Sequence, residues 1–213
     1  MLTEETTIKI TATFNEERTH RYSLKRTWDE SKPNACIIMS NASNADVARG
    51  DLTQLLVQNN LHLLGYGGVT IVNLFSRRCQ KLSLSKDIDI ATLTNPDNEG
   101  HILQCVKDSD ITVLAIGTLA QTYAKARIYQ DRLYALLREC QDKIHVIAAP
   151  DGTEGLHPLS GKLRADGSWE LVPFKIPEPP KVEQEKKEDT PKKDKSKKSN
   201  KPDPKVIPLA VSS

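Results

Sequence analysis

The sequence has few of the features that mark membrane, zinc-binding or disulfide-stabilised proteins. No apolar run approaches the roughly 20 residues that cross a bilayer, and residues 1–5 lack the basic and apolar stretches of a signal peptide. We therefore expect a cytoplasmic protein with no membrane partner. The cysteines form no Cys-x-x-Cys pair and lie far apart in the chain, at Cys36, Cys79, Cys105 and Cys140. This spacing supports neither a zinc site nor a disulfide framework.

Apolar residues are also scarce, and the shortage is concentrated at the C-terminal end. Hydrophobic residues make up 38% of the 213 residues and aromatic residues 5%. Residues 175–205 contain eleven Lys against seven Asp or Glu, a net +4, whereas the whole chain is only +2, so the rest sums to −2. The sequence predicts one domain over residues 1–174 and a disordered Lys- and Pro-rich tail over residues 175–213. The tail is either an electrostatic arm for nucleic acid or a solubilising extension.

Four short apolar runs alternate with helical patterns, which is typical of a parallel α/β protein. The predicted strands are residues 35–39, 69–75, 111–116 and 145–149, and the predicted helices are residues 51–64, 98–106 and 119–140. Alternating segments at residues 8–14 and 20–28 predict an N-terminal strand pair, and residues 163–174 predict a closing hairpin. The expected fold is an α/β three-layer sandwich with a central, mostly parallel sheet.

Polar residues follow several of these strands, where ligands of open α/β sheets collect. Asn41 and Ser43 lie in a loop of small and amide residues after the first apolar strand. Such a loop allows close approach of a ligand, or it consists of ordinary turn formers, with Asp46 or Asp51 capping the next helix.

An amide lies near the end of the second apolar strand, and an imidazole follows the fourth. Asn73 lies in the second apolar strand, and an unpaired buried amide would cost about 1–3 kcal/mol. Its donor and acceptor match the edge of a pyrimidine base, or they bond neighbouring loop backbone. His157, beside Pro158, is an anion stabiliser, a hydrogen-bond donor or a plain loop residue.

Several short motifs, in order, resemble a family of bacterial and phage proteins called domain of unknown function sixteen-forty-three. The matching pieces are Arg21-Tyr22-Ser23-Leu24, Trp28-Asp29, residues 41–46, Asp51-Leu52-Thr53, residues 65–68, Val72-Asn73-Leu74-Phe75 and His157-Pro158-Leu159. The resemblance covers residues 22 to about 160 and implies no activity.

The order of these elements more distantly resembles the uracil-DNA glycosylase superfamily. The features are a polar loop after the first strand, a strand with Asn73, a Gly-x-x-Ala turn at Gly117 and a final His-Pro loop. The resemblance implies a glycosylase-like fold and hydrolysis of the uracil–deoxyribose bond without cofactor or metal. Its implied partner is DNA, single-stranded or uracil-containing.

The resemblance also implies a role for each candidate residue. Asn41 would hold the attacking water and His157 would favour the uracil anion, as the catalytic residues. The implied substrate-binding residues are Asn73 for the base edge, Ser43 in the first loop, Leu159 as a wedge in the base stack and Ser160 for a phosphate. An amide cannot accept a proton, so Asn41 also allows weak or lost activity.

Two other functions stay open. One is an inactive pseudo-glycosylase that binds single-stranded DNA or a DNA-mimic glycosylase-inhibitor protein. The other is a metal-dependent hydrolase, because Asp87 and Asp89 alternate on an extended segment and Asp97, Glu99 and His101 lie nearby.

Overall fold

The computed structural model describes residues 1–80, 82, 84, 88–166 and 168–178. They form a seven-stranded sheet with helices. The strands are β1 (Lys9–Phe14), β2 (Arg21–Thr27), β3 (Asn34–Asn41), β4 (Gly68–Phe75), β5 (Ile111–Ala115), β6 (Ile144–Ala148) and β7 (Glu170–Pro173). The helices are α1 (Leu52–Leu63), α2 (Asn98–Lys107), α3 (Leu119–Thr122), α4 (Ala124–Leu137) and α5 (Gly161–Asp166), with 3₁₀ turns at Ile90–Leu93 and Arg138–Lys143.

The sheet is mixed, with strand order β1-β2-β4-β3-β5-β6-β7. Strands β4, β3, β5 and β6 are parallel to one another, whereas β1, β2 and β7 pair antiparallel to their neighbours. The prediction of a mostly parallel sheet is therefore wrong. The predicted N-terminal strand pair, β1 and β2, extends the sheet because β2 pairs with β4. Tyr22 and Leu24 of β2 are buried.

The central strands are mostly apolar because both faces of the sheet are covered. Successive side chains of a strand point to opposite faces, so Ile37 and Ile38 enter different clusters. On one face, Ile38 lies in a cluster with Ile102 of α2 and Leu133 of α4. On the other face, Ile37 lies in a cluster with Leu61 of α1 and Leu163 of α5. The sheet is therefore the middle of three layers.

Two local predictions are corrected. The predicted long helix over residues 119–140 is interrupted at Tyr123, whose φ of −125° and ψ of 112° are extended, and it ends in 3₁₀ turns. The segment predicted as a hairpin over residues 163–174 contains helix α5 and then β7, which pairs with β6. Leu163 of α5 is buried in one of the two clusters, and this short helix therefore covers part of the sheet.

The chain packs against the same core as far as Ile176, two residues beyond the predicted domain of residues 1–174. Phe174 N donates to Ile144 O, and Ile176 is buried in the cluster that contains α4. The predicted disordered tail lies outside the described residues from residue 179 onward. Within the described residues, no helix is long and apolar enough to cross a bilayer.

Candidate functional site

A pocket of about 420 Å³ opens where β3 ends, beside the first turn of α1. Its walls come from β2, β3, β4, the loop that leads to α1 and the loop that follows β6. Four of the six predicted site residues line it: Asn41, Ser43, His157 and Leu159. Residues distant in sequence are thus brought to one cavity of a size that suits a small ligand.

Asn41 is the last residue of β3, and its side chain is held by the segment after β4. Its Nδ2 donates to the carbonyl oxygen of Cys79 at 3.4 Å and lies 3.6 Å from Cys79 Sγ. Neither Cys79 nor any other described residue donates a hydrogen bond to Asn41 Oδ1. The oxygen is thus an acceptor that can bind a water molecule or a hydroxyl group at the pocket wall.

His157 has a defined tautomer when it is neutral. Leu159 N donates to His157 Nδ1 at 3.1 Å, so in the neutral ring Nε2 carries the proton. Burial lowers the pKa of His157 from 6.5, against the opposing charge of Asp51. A neutral ring that donates through Nε2 can hydrogen-bond a carbonyl or anionic oxygen in the pocket.

The loop around His157 is packed closely against the end of β5. Gly117 has a φ of +68°, and a Cβ placed on it would lie 3.4 Å from the Cβ of His157. The left-handed backbone at residue 117 favours glycine. The position of the imidazole thus depends on the turn that follows β5.

Leu159 and Ser160 follow His157 but differ in their surroundings. Leu159 is 38% exposed and lines the pocket. Ser160 does not line it; its N donates to His157 O at 2.8 Å, and its carbonyl accepts from Leu163 N and Arg164 N. Ser160 therefore shapes the start of α5, and its predicted contact with a phosphate stays a prediction.

Asn73 lies behind the pocket wall, at 1% exposure. Its Nδ2 donates to Asn41 O at 2.8 Å, and its Oδ1 accepts from Arg21 Nη2 at 3.1 Å. The amide thus bonds the backbone at the end of β3 and the side chain of Arg21. A direct contact between Asn73 and a base stays a prediction, whereas the contacts observed position Asn41 and Arg21.

Arg21, at the start of β2, is a pocket residue that sequence reasoning missed. It is 2% exposed and donates from Nη1 to Ala45 O at 2.8 Å, in addition to its bond to Asn73. Its Nε has no partner among the described residues, and no described carboxylate forms a salt bridge with it. Burial lowers its pKa to about 10. The pocket therefore has a buried cation in its wall.

Gln54, in the first turn of α1, also lines the pocket and was also missed. It is 4% exposed, and neither its Nε2 nor its Oε1 has a partner within the described part of the chain. Asp51 caps the helix by accepting from Gln54 N at 2.9 Å, which confirms one of the two predicted caps. An unpaired buried amide is costly, so Gln54 is a candidate ligand-binding group.

Three of the described residues considered for a metal have other contacts. Asp89 caps a 3₁₀ turn by accepting from Ala91 N, and Glu99 pairs with Arg132 at 2.7 Å. His101 stacks on Tyr22 with ring centroids 4.2 Å apart. Asp87 lies outside the described residues. Among the described residues, no group of three His, Cys, Asp or Glu side chains could hold a metal ion.

Comparison with known proteins yields one family. Residues 21–159 match the model of a family described as protein of unknown function (DUF1643). No curated protein and no solved structure matches the chain. The family match confirms the first resemblance predicted from the motifs, whereas the more distant resemblance to the uracil-DNA glycosylase superfamily stays a prediction.

Proposed function

We propose a function for this chain, which belongs to the DUF1643 family of proteins of unknown function: its pocket binds a uracil base presented by DNA, as in a uracil-DNA glycosylase. The observation that carries the proposal is the shared cavity of Asn41, Ser43, His157 and Leu159. These are four of the residues for which the superfamily resemblance implies contact with a base or with the reacting bond.

The polar groups of the pocket suit a uracil base. Uracil has carbonyl oxygens that accept hydrogen bonds and a ring N–H that donates one. His157 Nε2 supplies a donor, and the unpartnered amide of Gln54 supplies both a donor and an acceptor. The apolar wall at Met39 and Ile71 contributes surface for the ring.

The same groups suit cleavage of an N-glycosidic bond, which builds positive charge on the sugar and negative charge on the base. Asn41 Oδ1 would accept a hydrogen bond from the attacking water, and His157 would donate to the base oxygen that becomes anionic. Arg21 adds a positive potential from within the wall, strengthened by its burial. Asn41 orients the water without accepting its proton, so the rate depends on how far the leaving base is stabilised.

The test is incubation of the full chain with uracil-containing single-stranded DNA, without added metal, followed by alkaline cleavage of abasic sites. Asn41→Ala and His157→Ala are each expected to lower the cleavage rate by about 100-fold or more. The matched controls are Asn59→Ala and His62→Ala, at exposed positions of α1, which leave the rate unchanged. Thermal unfolding of each variant separates loss of the site from loss of the fold.

A binding function without catalysis uses the same pocket and is an outcome of the same test. In that case the DNA stays intact, but a uracil-containing oligonucleotide binds more tightly than one with an abasic site in its place. His157→Ala then removes this difference. Equal affinity for both oligonucleotides, together with no cleavage, contradicts the proposal.

A further inference from the structure

A second concavity, of about 560 Å³, lies beside the pocket and is lined by four arginines. We call it the arginine surface; it comprises Arg18, Arg49, Arg77 and Arg78. Asn44 and Arg49 line both this surface and the pocket, so the two are continuous. A ligand that fills the pocket can therefore extend onto the arginines.

The arginine surface is a local concentration of positive charge on an otherwise slightly acidic body. Asp46 is the acidic residue that lines it, 3.8 Å from Arg78. The Asp46 carboxylate also accepts from Ala48 N and Arg49 N, and these bonds lower its pKa. Arg18, Arg49 and Arg77 are exposed and form no salt bridge with a described carboxylate. The surface thus keeps cations that can pair with an anionic ligand.

Arg78 fixes the arginine surface to the pocket loop. Its Nη2 donates to Asn44 O at 2.9 Å, and its Nη1 donates to Arg18 O at 3.3 Å. Arg18 and Arg78 both stack on Phe14, with distances of 4.4 and 5.0 Å to the ring centroid. These contacts order the cations before a ligand binds, which lowers the entropic cost of binding.

We propose that the arginine surface binds the phosphates of a single-stranded DNA whose adjacent base enters the pocket. This inference rests on the proposed function, because the pocket supplies the site for the base. A single strand offers phosphates and unstacked bases together, and the protein offers arginines beside a pocket that Leu52 and Leu159 border with exposed apolar surface. The arginines supply affinity without sequence preference, and the pocket supplies recognition of the base.

The test is fluorescence anisotropy with the full chain and a labelled oligothymidylate about 12 nucleotides long that carries one deoxyuridine. Arg18→Gln/Arg77→Gln removes two exposed cations and leaves Arg78 in place. Affinity at low salt is expected to fall roughly tenfold, and the slope of log K against log salt to become shallower by about 1.4. The control Lys125→Gln/Arg132→Gln removes the same charge from α4, and its affinity and slope are expected to match the wild type.

Three outcomes decide the inference. If the Arg18/Arg77 variant and the control lose affinity equally, or neither loses any, the arginine surface is not the phosphate site, whatever His157→Ala does to uracil recognition. If only the Arg18/Arg77 variant loses affinity, the arginine surface is the phosphate site; an abasic oligonucleotide that binds as tightly would then contradict the base-binding proposal and leave the phosphate site standing. Tighter binding of a phosphorylated peptide of equal charge than of the oligonucleotide would overturn it.

Discussion

Arg21 Nη2 donates a hydrogen bond to Asn73 Oδ1 at 3.1 Å, between two side chains that are both almost fully buried. Asn73 in turn donates to the backbone carbonyl of Asn41 at 2.8 Å. One amide therefore connects β2, β4 and β3 at the pocket wall. The amide oxygen thus accepts from one N–H of a buried guanidinium that has no described carboxylate partner.

Replacing the Asn73 amide by an apolar side chain should destabilise the protein strongly, although only one small polar group is lost. We expect Asn73→Leu to lower the free energy of unfolding by about 3 kcal/mol, because it leaves a buried guanidinium N–H and a backbone carbonyl without partners. Asn73→Asp should cost less, since a carboxylate pairs with Arg21 although it loses the bond to Asn41. Urea denaturation of both variants measures the difference; equal losses would contradict this account.

Gln54 should show a trade-off between stability and binding. Gln54→Met replaces an amide without described partners by an apolar side chain of similar length, so the unfolding free energy should rise by about 1 kcal/mol while affinity for uracil-containing DNA falls. Gln58 is the matched control on the same helix, because its Oε1 accepts from Arg26 Nε at 2.8 Å. Gln58→Met should lower stability and leave affinity unchanged. A Gln54→Met protein that is destabilised yet binds normally would show that the amide is not a ligand-binding group.

Gly117 and Gly100 should respond in opposite directions to the same substitution. Gly117→Ala forces a side chain into left-handed backbone and should cost about 1–2 kcal/mol. Gly100 lies in α2 with open space around its Cα, so Gly100→Ala should stabilise by about 0.5–1 kcal/mol. Thermal unfolding of the two variants checks the signs. DNA binding should weaken in Gly117→Ala alone, because the added Cβ contacts His157.

Acidification should destabilise the protein through His157. Burial lowers the pKa of His157 below 6.5, so between that lowered pKa and 6.5 the unfolded chain binds more protons than the folded chain. The contribution of neutral His157 to the unfolding free energy is therefore complete above pH 6.5, and it is lost as the pH falls through this window. Protonation also removes the acceptor that Leu159 N uses.

Urea denaturation at pH 7.5 and at pH 5.5 measures this effect. His157→Gln should reduce the pH dependence of the unfolding free energy. Burial also lowers the pKa of His20, so part of the dependence should persist in His157→Gln. An unchanged dependence in that variant would refute the assignment.

The central layer of the fold could be predicted because strands covered on both faces are mostly apolar. The short apolar runs around Ile37, Ile71 and Val113 are typical of such strands. The direction of the outer strands could not be predicted. Alternation of apolar and polar residues indicates a strand, but it does not show which strand it pairs with or in which direction. The break at Tyr123 was hidden because Ala120 and Ala126, on either side, are both buried and continue the apolar pattern.

The candidate site was predictable where polar residues follow parallel strands, which end at the same edge of the sheet. Asn41 and His157 therefore share a pocket. Arg21 and Gln54 were missed because Arg and Gln are ordinarily exposed, and nothing local marks the exceptions. For Arg21, the available sequence signal was its position as the first residue of Arg21-Tyr22-Ser23-Leu24, one of the motifs that match the family.

Arg21 and Leu159 both line the pocket, and they are the first and last residues of the family match. During synthesis, β1–β5 can pair before the last wall of the pocket has been translated. A nascent chain that stops short of His157 would have most of its sheet and yet no complete cavity. In a series of C-terminal truncations, we therefore expect ligand binding to appear only in chains that extend past residue 159.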